Sequence, residues 1–315
     1  MSAGLRRPIV TASIVALTLG TAAACGSSSS GGAGSAGVST TPTAASGGAE
    51  TVLPFQTQDQ ANLAISSGRA EVGMADSPVA AYIVQQSHGA FKISVQAYGT
   101  APYGIAMSKK SGLQDAVLGA VKDLMSDGKY YAILKRWNIT AGGIDNPQIN
   151  GAAQTIQPAT PEPEMAVIKD TSLTAKLPAA LQNGGTLKVA ADASYAPDEF
   201  LDTDGKTVIG MDADLAKAIG QVLGLQVTVA NVSFDAIIPA IQDGRYDLGM
   251  SSFTDTADRE KSVDFVTYFS AGTSFYVSAT DGPDIETLAD LCGHTVAVEA
   301  GTTEESDARA QAKKC

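Results

Sequence analysis

Two stretches, AISSGRAEVGMADS at residues 64–77 and AIQDGRYDLGMSSFT at residues 240–254, follow one pattern. Each runs Ala-Ile, two residues, Gly-Arg, one residue, an acid, one residue, Gly-Met, then small polar side chains. An apolar helix end, a Gly where a turn needs a left-handed backbone, and a short apolar run predict helix, turn and buried strand. The polar cluster then falls at the strand's carboxyl end, where open α/β sheets bind ligands. Two copies predict two similar lobes, each giving one wall of a cleft. A common Gly stop after a helix and a common core Met would produce the same short match.

Working outward, the 315 residues carry a formal net charge of −12, with 44% hydrophobic and 17% charged residues. Such a chain can bury one large core or two modest ones. The acidic balance argues against a nucleic-acid partner, which needs a basic face. Arg6 and Arg7 precede an apolar run from Ile9 to Ala24, so residues 1–24 read as a signal peptide. The run ends AAAC at Cys25, which resembles a relaxed lipobox, and residues 25–49 form a Ser/Gly-rich flexible tether. The protein is thus expected to be exported and lipid-anchored through Cys25 at the outer face of the cytoplasmic membrane. Cys292 and Cys315 remain, either bridged or as two free thiols.

Residues 141–164, AGGIDNPQINGAAQTIQPATPEPE, lack an apolar run and read as a linker. On either side strands alternate with helices. In front of the linker, strands are expected at Thr51–Phe55, Glu71–Met74, Lys92–Tyr98 and Tyr103–Ser108. Helices are expected there at Asp59–Ser67, Pro78–Gln86, Leu113–Asp127 and Lys129–Trp137. Behind it come strands Leu187–Ala191, Leu225–Val229, Tyr246–Met250, Ser274–Ser278 and Thr295–Glu299. The helices there are Met211–Leu223, Phe234–Gln242, Thr256–Val263, Ile285–Leu291 and one ending at Cys315. This alternation predicts α/β layers with mainly parallel sheets.

The rear segment carries LKVAADASYAPDEF, IGMDADLAKAIG, FDAIIPAIQDGRYDLGMSSFTDTADREKSVDFVTYF and CGHTVAVEAGTTEE. Together these resemble the first half of a family 3 solute-binding protein, the amino-acid receptor of an ABC importer. The front segment, with GRAEVGMADSPVAAYIV, AYGTAPYGIAMSKK and YYAILKRWNI, is similar to that family's remaining half. The order is exchanged, as in a circular permutation. A broken tandem of two different binding proteins is the rival account, but each expected element occurs once. The resemblance implies a two-lobed, type II periplasmic-binding-protein-like fold, each lobe a mainly parallel sheet flanked by helices. It divides the chain at 50–98 (second half of lobe 2), 99–140 (hinge and end of lobe 1), 165–275 (main part of lobe 1) and 276–315 (first half of lobe 2). Crossing segments are expected near Ala271–Ala279 and Tyr98–Met107.

An α-amino acid needs a positive fork for its carboxylate and an acid for its ammonium. The resemblance puts Arg259 on the carboxylate, with Thr254, Ser252 and the turn residues Thr302 and Thr303 as added donors. It puts Asp76 on the ammonium; alone, Asp76 reads equally as an N-cap before Pro78. Asp192, Tyr195 and Phe234 match positions around the ligand side chain, and Glu299 adds a second acid there, favouring a polar or cationic amino acid. The implied partners are a free amino acid and a membrane permease; the protein is expected to be a monomer without cofactor or metal. A dehydratase-like enzyme with Glu299 as general acid, and a ligand-sensing module, are the alternatives. The two histidines, His88 and His294, read as surface residues, and no P-loop or nucleophile elbow occurs.

Overall fold

Both copies of the Gly-Arg pattern fold alike. Gly68 and Gly244 each take a left-handed turn, with φ of 71° and 72°, directly after a helix. The computed structural model describes residues 50–95 and 97–315. The expected signal peptide, the Cys25 lipid site and the tether lie outside them. In chain order the front segment holds β1 (Thr51–Phe55), α1 (Gln58–Ser66), β2 (Val72–Asp76), α2 (Ser77–Gln86), β3 (Phe91–Ile93), β4 (Tyr98–Met107), α3 (Gln114–Ser126) and α4 (Lys129–Arg136). The rear segment holds α5 (Thr171–Thr174), β5 (Thr186–Ala191), β6 (Ser194–Tyr195), β7 (Glu199–Leu201), β8 (Val208–Ile209), α6 (Met211–Leu223), β9 (Gln226–Asn231) and α7 (Phe234–Gln242). It continues with β10 (Leu248–Gly249), β11 (Asp264–Ser278), β12 (Thr295–Glu299) and α8 (Thr303–Ala312).

Eight of these strands lie in the order β1-β12-β2-β11-β4-β10-β5-β9, and β3 also pairs with β11. Front and rear strands therefore interleave. The outer pairs are parallel: β1 with β12, β12 with β2, β10 with β5, and β5 with β9. The pairs of β11 with β2, β3 and β4 are antiparallel, as is β10 with β4. The two expected sheets are thus one hydrogen-bonded path, parallel on both flanks and mixed at the centre. The crossing is made by β11 against β4, whose register runs from Asp264↔Met107 to Thr273↔Tyr98. Bulges interrupt it between Thr267 and Phe269 and between Ala271 and Thr273, bending the strand where it passes from one flank to the other.

Each flank has apolar clusters of its own. On the β5 flank, α3, α4 and α6 pack over one cluster with Leu124, Leu134 and Ile219; Ile237, Ile241 and Phe253 form another. On the β12 flank, Ala61, Ile65 and Ala80 form one cluster and Met74, Phe275 and Val298 another. The Gly of each Gly-Met pair allows close packing: a Cβ at Gly73 would meet the Tyr276 ring, and one at Gly249 would lie 2.8 Å from Ile237.

Several elements differ from expectation. The strand expected at Ser274–Ser278 is the end of the 15-residue β11. The strand expected at Lys92–Tyr98 is the short β3, and Tyr98 instead opens β4. The helices expected at Thr256–Val263 and Ile285–Leu291 are single 3-10 turns at Arg259–Lys261 and Leu288–Leu291. The three-stranded sheet β6-β7-β8 and the one-turn α5 were not expected; their strands of two or three residues leave no readable period.

The linker is not a free tether. Gly143 bridges to Phe269 and Ile149 to Val266, and Ile144 is fully buried. The Tyr130 hydroxyl donates to the Tyr268 carbonyl at 2.7 Å and accepts from the Ile144 N–H at 2.9 Å. Buried Ile144, together with hydrogen bonds from Gln148 and Asn150 to Thr267 and Phe265, lays this Gly/Pro-rich segment along β11.

Cys292 and Cys315 form a disulfide with Cα atoms 5.4 Å apart, closing a sequence separation of 23 residues. In the chain-entropy account such a loop contributes about 3 kcal/mol. Urea unfolding with and without reductant should therefore show a loss of about that size; coincident curves would deny the bridge a stabilising role.

Candidate functional site

Both polar clusters at the ends of the Gly-Met strands face one nearly closed hollow, with a cavity volume of about 10 Å3. That is room for about one water, so a ligand enters only when the walls part. All ten residues singled out in the sequence line it: Asp76, Asp192, Tyr195, Phe234, Ser252, Thr254, Arg259, Glu299, Thr302 and Thr303. Ser251 and Glu304 complete the lining. Among the described residues no other arginine and no lysine or histidine lines it, so there Arg259 supplies the single positive charge.

Arg259 opens the 3-10 turn after the second Gly-Met copy. Its Nη1 donates to the Thr254 carbonyl at 2.8 Å and its Nη2 to the Gly301 carbonyl across the cleft at 3.0 Å. The guanidinium lies 5.4 Å from each of the Phe234 and Phe253 ring centres, which stack on one another at 4.4 Å. Cation–π contact and carbonyl acceptors keep the charge where water is scarce. Burial pulls its pKa down, while the charges of Glu304 and Asp76 act in the opposite sense.

Asp76 stands at the end of β2 and at the N-cap position of α2, yet its side chain makes no capping bond. It faces the cleft instead. The Tyr195 hydroxyl, from the other flank, accepts from the Asp76 N–H at 2.9 Å and donates to Oδ2 at 3.1 Å. Burial, and then the charge of Glu304, push the Asp76 carboxyl well above the ordinary carboxylate range. An ammonium placed beside it would supply the counter-charge that lets it ionise.

The far end of the hollow is acidic. Asp192 is held by the Ser194 hydroxyl at 2.7 Å and by the Phe234 N–H, at the start of α7, at 3.0 Å. Glu299, at the end of β12, is 2% exposed, and its Oε1 has no hydrogen-bond partner. Burial first, and the neighbouring Asp192 second, raise its pKa well above normal. It therefore points inward, into the cleft.

Three expected hydroxyl donors are already committed. Ser252, at φ 50°, donates to Asp198 Oδ2 at 3.0 Å and Glu199 Oε2 at 3.3 Å, away from the hollow. Thr302 Oγ1 accepts from the Glu305 N–H at 3.1 Å, capping α8, and donates to the Glu299 carbonyl at 2.8 Å. Thr303 donates to Glu304 Oε2 at 3.1 Å and lies 3.4 Å from the Thr254 hydroxyl across the cleft. Of the four, the Thr254 hydroxyl keeps the most freedom to meet a carboxylate.

Beneath the hollow lies a set of buried acids that the sequence reading passed over. Asp198, Glu199 and Asp212 are all at most 1% exposed. Burial raises all three, Asp212 to about 6, and the charge of Asp212 adds to the rise of Asp198 and Glu199. Ser251 donates to Glu199 at 2.9 Å, and the Ser252 N–H donates to Asp212 at 3.0 Å. The Gly-Met-Ser-Ser backbone is thereby anchored from below.

The arrangement offers one guanidinium for an anion, one acid on the opposite wall, aromatic walls, and a carboxyl pair at the far end. Among known proteins, residues 187–312 match the model for bacterial extracellular solute-binding proteins, family 3. The arginine-binding protein ArgT of Corynebacterium glutamicum is 37% identical over 133 residues, which are 42% of this chain and 43% of that one. The arginine-binding extracellular protein ArtP of Bacillus subtilis is 34% identical over 119 residues, 38% of this chain and 46% of that one. The chain spans about half the length of the curated relatives it matches. A solved ancestral arginine-binding protein bound to arginine is 32% identical over 41% of this chain and 57% of its own, with a TM-score of 0.34. By this match, the segment from residue 187 to residue 312 is similar to the bacterial extracellular solute-binding proteins of family 3.

Proposed function

We propose that the protein is the extracytoplasmic receptor of an ABC importer and binds a cationic amino acid between its two flanks. The observation that carries this reading is the pairing across one hollow of Arg259, its single positive side chain, with Asp76 from the opposite wall. The α-carboxylate takes the guanidinium fork and the α-ammonium takes Asp76. The unpartnered Glu299 Oε1, with Asp192 beside it, favours a guanidinium or ammonium at the side-chain end. Closure joins the walls through Tyr195–Asp76, Arg259–Gly301 and the Gln58 N–H to Ser194 Oγ at 3.1 Å. The ligand shifts the open–closed balance by the contacts it makes only when the walls meet, and the closed form is what the permease recognises. Cys25 carries the lipid anchor.

The segment order is a circular permutation of the family's. Two observations support it: front and rear strands alternate in the sheet, and Cys315 Sγ lies 3.9 Å from Glu50 Oε2. Two unrelated half-proteins would each need a sheet of their own.

Calorimetric titration with arginine, lysine, glutamine and glutamate tests the reading. Arginine or lysine should bind best. Glu299→Gln should weaken them about tenfold or more while changing glutamine little. Trp137 gives a second signal, because its ring meets Phe200 at 5.6 Å and Phe200 meets Tyr82 of the other flank at 6.4 Å. Its emission should change on closure. If no amino acid produces heat or an emission change, the receptor reading is lost. A second reading rests on Glu299 itself. Burial raises the pKa of this carboxyl, and a protonated carboxyl in the cleft is what an acid-catalysed elimination needs. Turnover of a cyclic hydroxy acid, abolished by Glu299→Gln, would favour that enzyme.

A further inference from the structure

We infer that Glu304 is a positioning residue that ties the turn facing the ligand carboxylate to the bend in β11, and so sets how readily the two walls close. The inference rests on the receptor reading above. Glu304 is 2% exposed, at the second position of α8, and lines the hollow. Its Oε1 accepts from the Thr273 hydroxyl at 2.6 Å, and its Oε2 accepts from the Thr303 hydroxyl at 3.1 Å.

The two threonines belong to different working parts. Thr273 follows the second bulge of β11 and pairs in register with both Asp76 of β2 and Tyr98 of β4. It stands where the chain bends from one flank to the other. Nearby, a Cβ at Gly272 would lie 2.5 Å from the Tyr98 carbonyl, so the crossing strands are in close contact there. Thr303 opens α8 directly after the turn that follows β12, and its hydroxyl approaches Thr254 on the opposite wall at 3.4 Å. One carboxylate therefore connects the bend to the cross-cleft contact through two short bonds.

The residue type matters. A carboxylate has an acceptor on each oxygen, so it can receive both hydroxyl protons at once. An amide has one acceptor oxygen and would turn its NH2 toward the other threonine. The charge also reaches the ligand site: Glu304 repels Asp76 and supports the charged form of Arg259. A bend that moved Thr273 would drag Glu304, and with it the turn that meets Thr254.

The test compares the wild type with Thr273→Val, Glu304→Gln, Glu304→Ala and the Thr273→Val/Glu304→Ala pair. Arginine affinity is read by calorimetry, and ligand-free closure by small-angle scattering. Thr273→Val removes a hydroxyl from the bend without touching the hollow. It should weaken arginine binding about five- to thirtyfold, and it should raise the ligand-free radius of gyration. The double variant should be no worse than Glu304→Ala alone, because both break one connection. Glu304→Gln should fall between wild type and Glu304→Ala. An unchanged radius and affinity in Thr273→Val, or additive losses in the pair, would overturn the inference. If the wild type binds no amino acid, the receptor reading fails by itself. The ligand-free radii of Thr273→Val and the double variant then still decide the coupling, an unchanged radius overturning it and a shared increase upholding it.

Discussion

Arg259→Ala is expected to raise the dissociation constant for the proposed amino acid by about thirtyfold to several thousandfold, while circular dichroism shows the folded chain intact. The guanidinium is the single positive side chain lining the hollow, so nothing nearby can replace it. Removing one partner of a buried charge-assisted pair costs roughly 2–5 kcal/mol, and each 1.4 kcal/mol is a factor of ten. The fold should tolerate the change. The carbonyls of Thr254 and Gly301 lose one donor each, and burial already disfavours the charged form of Asp76. Arg259→Lys is the sharper variant. It keeps the charge but cannot reach both carbonyls while presenting a planar fork. It should recover only a small part of the affinity. Undiminished affinity in the alanine variant, by calorimetry, would remove Arg259 from the carboxylate role.

The second large effect is on stability as a function of pH. Folding raises the pKa of Asp198, Glu199 and Asp212, Asp212 to about 6. The unfolded chain releases the same protons near pH 4. Between about pH 4 and pH 6 the folded state therefore holds more protons than the unfolded one, and stability falls as pH rises. The stabilisation is complete below about pH 4 and is lost progressively through the folded pKa values. For Asp212 alone, a rise of about two units is worth roughly 3 kcal/mol. The protein should thus melt at a higher temperature at pH 4.5 than at pH 7.5, unlike a chain held by paired carboxylates. Asp198→Asn should flatten the profile. The amide oxygen can still accept from Ser252, and one of three buried acids is gone. The melting temperature should rise by several degrees at pH 7.5 and hardly change at pH 4.5. A melting temperature that climbs with pH would show that these groups are ionised in the folded state.

Much of this architecture was readable from residue order. Helix Met211–Leu223 has its apolar period and a Gly stop at Gly224, which takes φ 69°. Strands Thr51–Phe55 and Thr295–Glu299 occupy their expected residues. These elements are short, periodic and punctuated, so local physics decides them. β11 was only partly legible. Its sequence DFVTYFSAGTSFYVS mixes Thr, Ser and Gly with aromatics, yet almost all of it is buried, because the strand crosses the molecule and has neighbours on both sides. The linker misled for the opposite reason: Ile144 and Ile149 carry no period, and their pockets are built by distant residues.

At the site, the repeat and the family pattern together placed ten residues around one hollow. Neither could say where a hydroxyl points. Ser252 and Thr302 sit beside the hollow while donating elsewhere. Glu304 escaped notice because an acid in the first turn of a helix is ordinary. Only its burial and its bond to Thr273 set it apart. The Asp198, Glu199 and Asp212 cluster was hidden because residues 14 positions apart meet through tertiary packing.

One strand, β11, sets the alignment of both flanks at once, since the same fifteen residues pair with β2 on one side and with β3 and β4 on the other. Its residues can be exchanged for others of similar size. Its length cannot be altered cheaply: one amino acid added or lost midway would turn every later side chain to the opposite face. Across lineages, drift in this strand should therefore appear as replacements, with insertions and deletions confined to the loops that flank it.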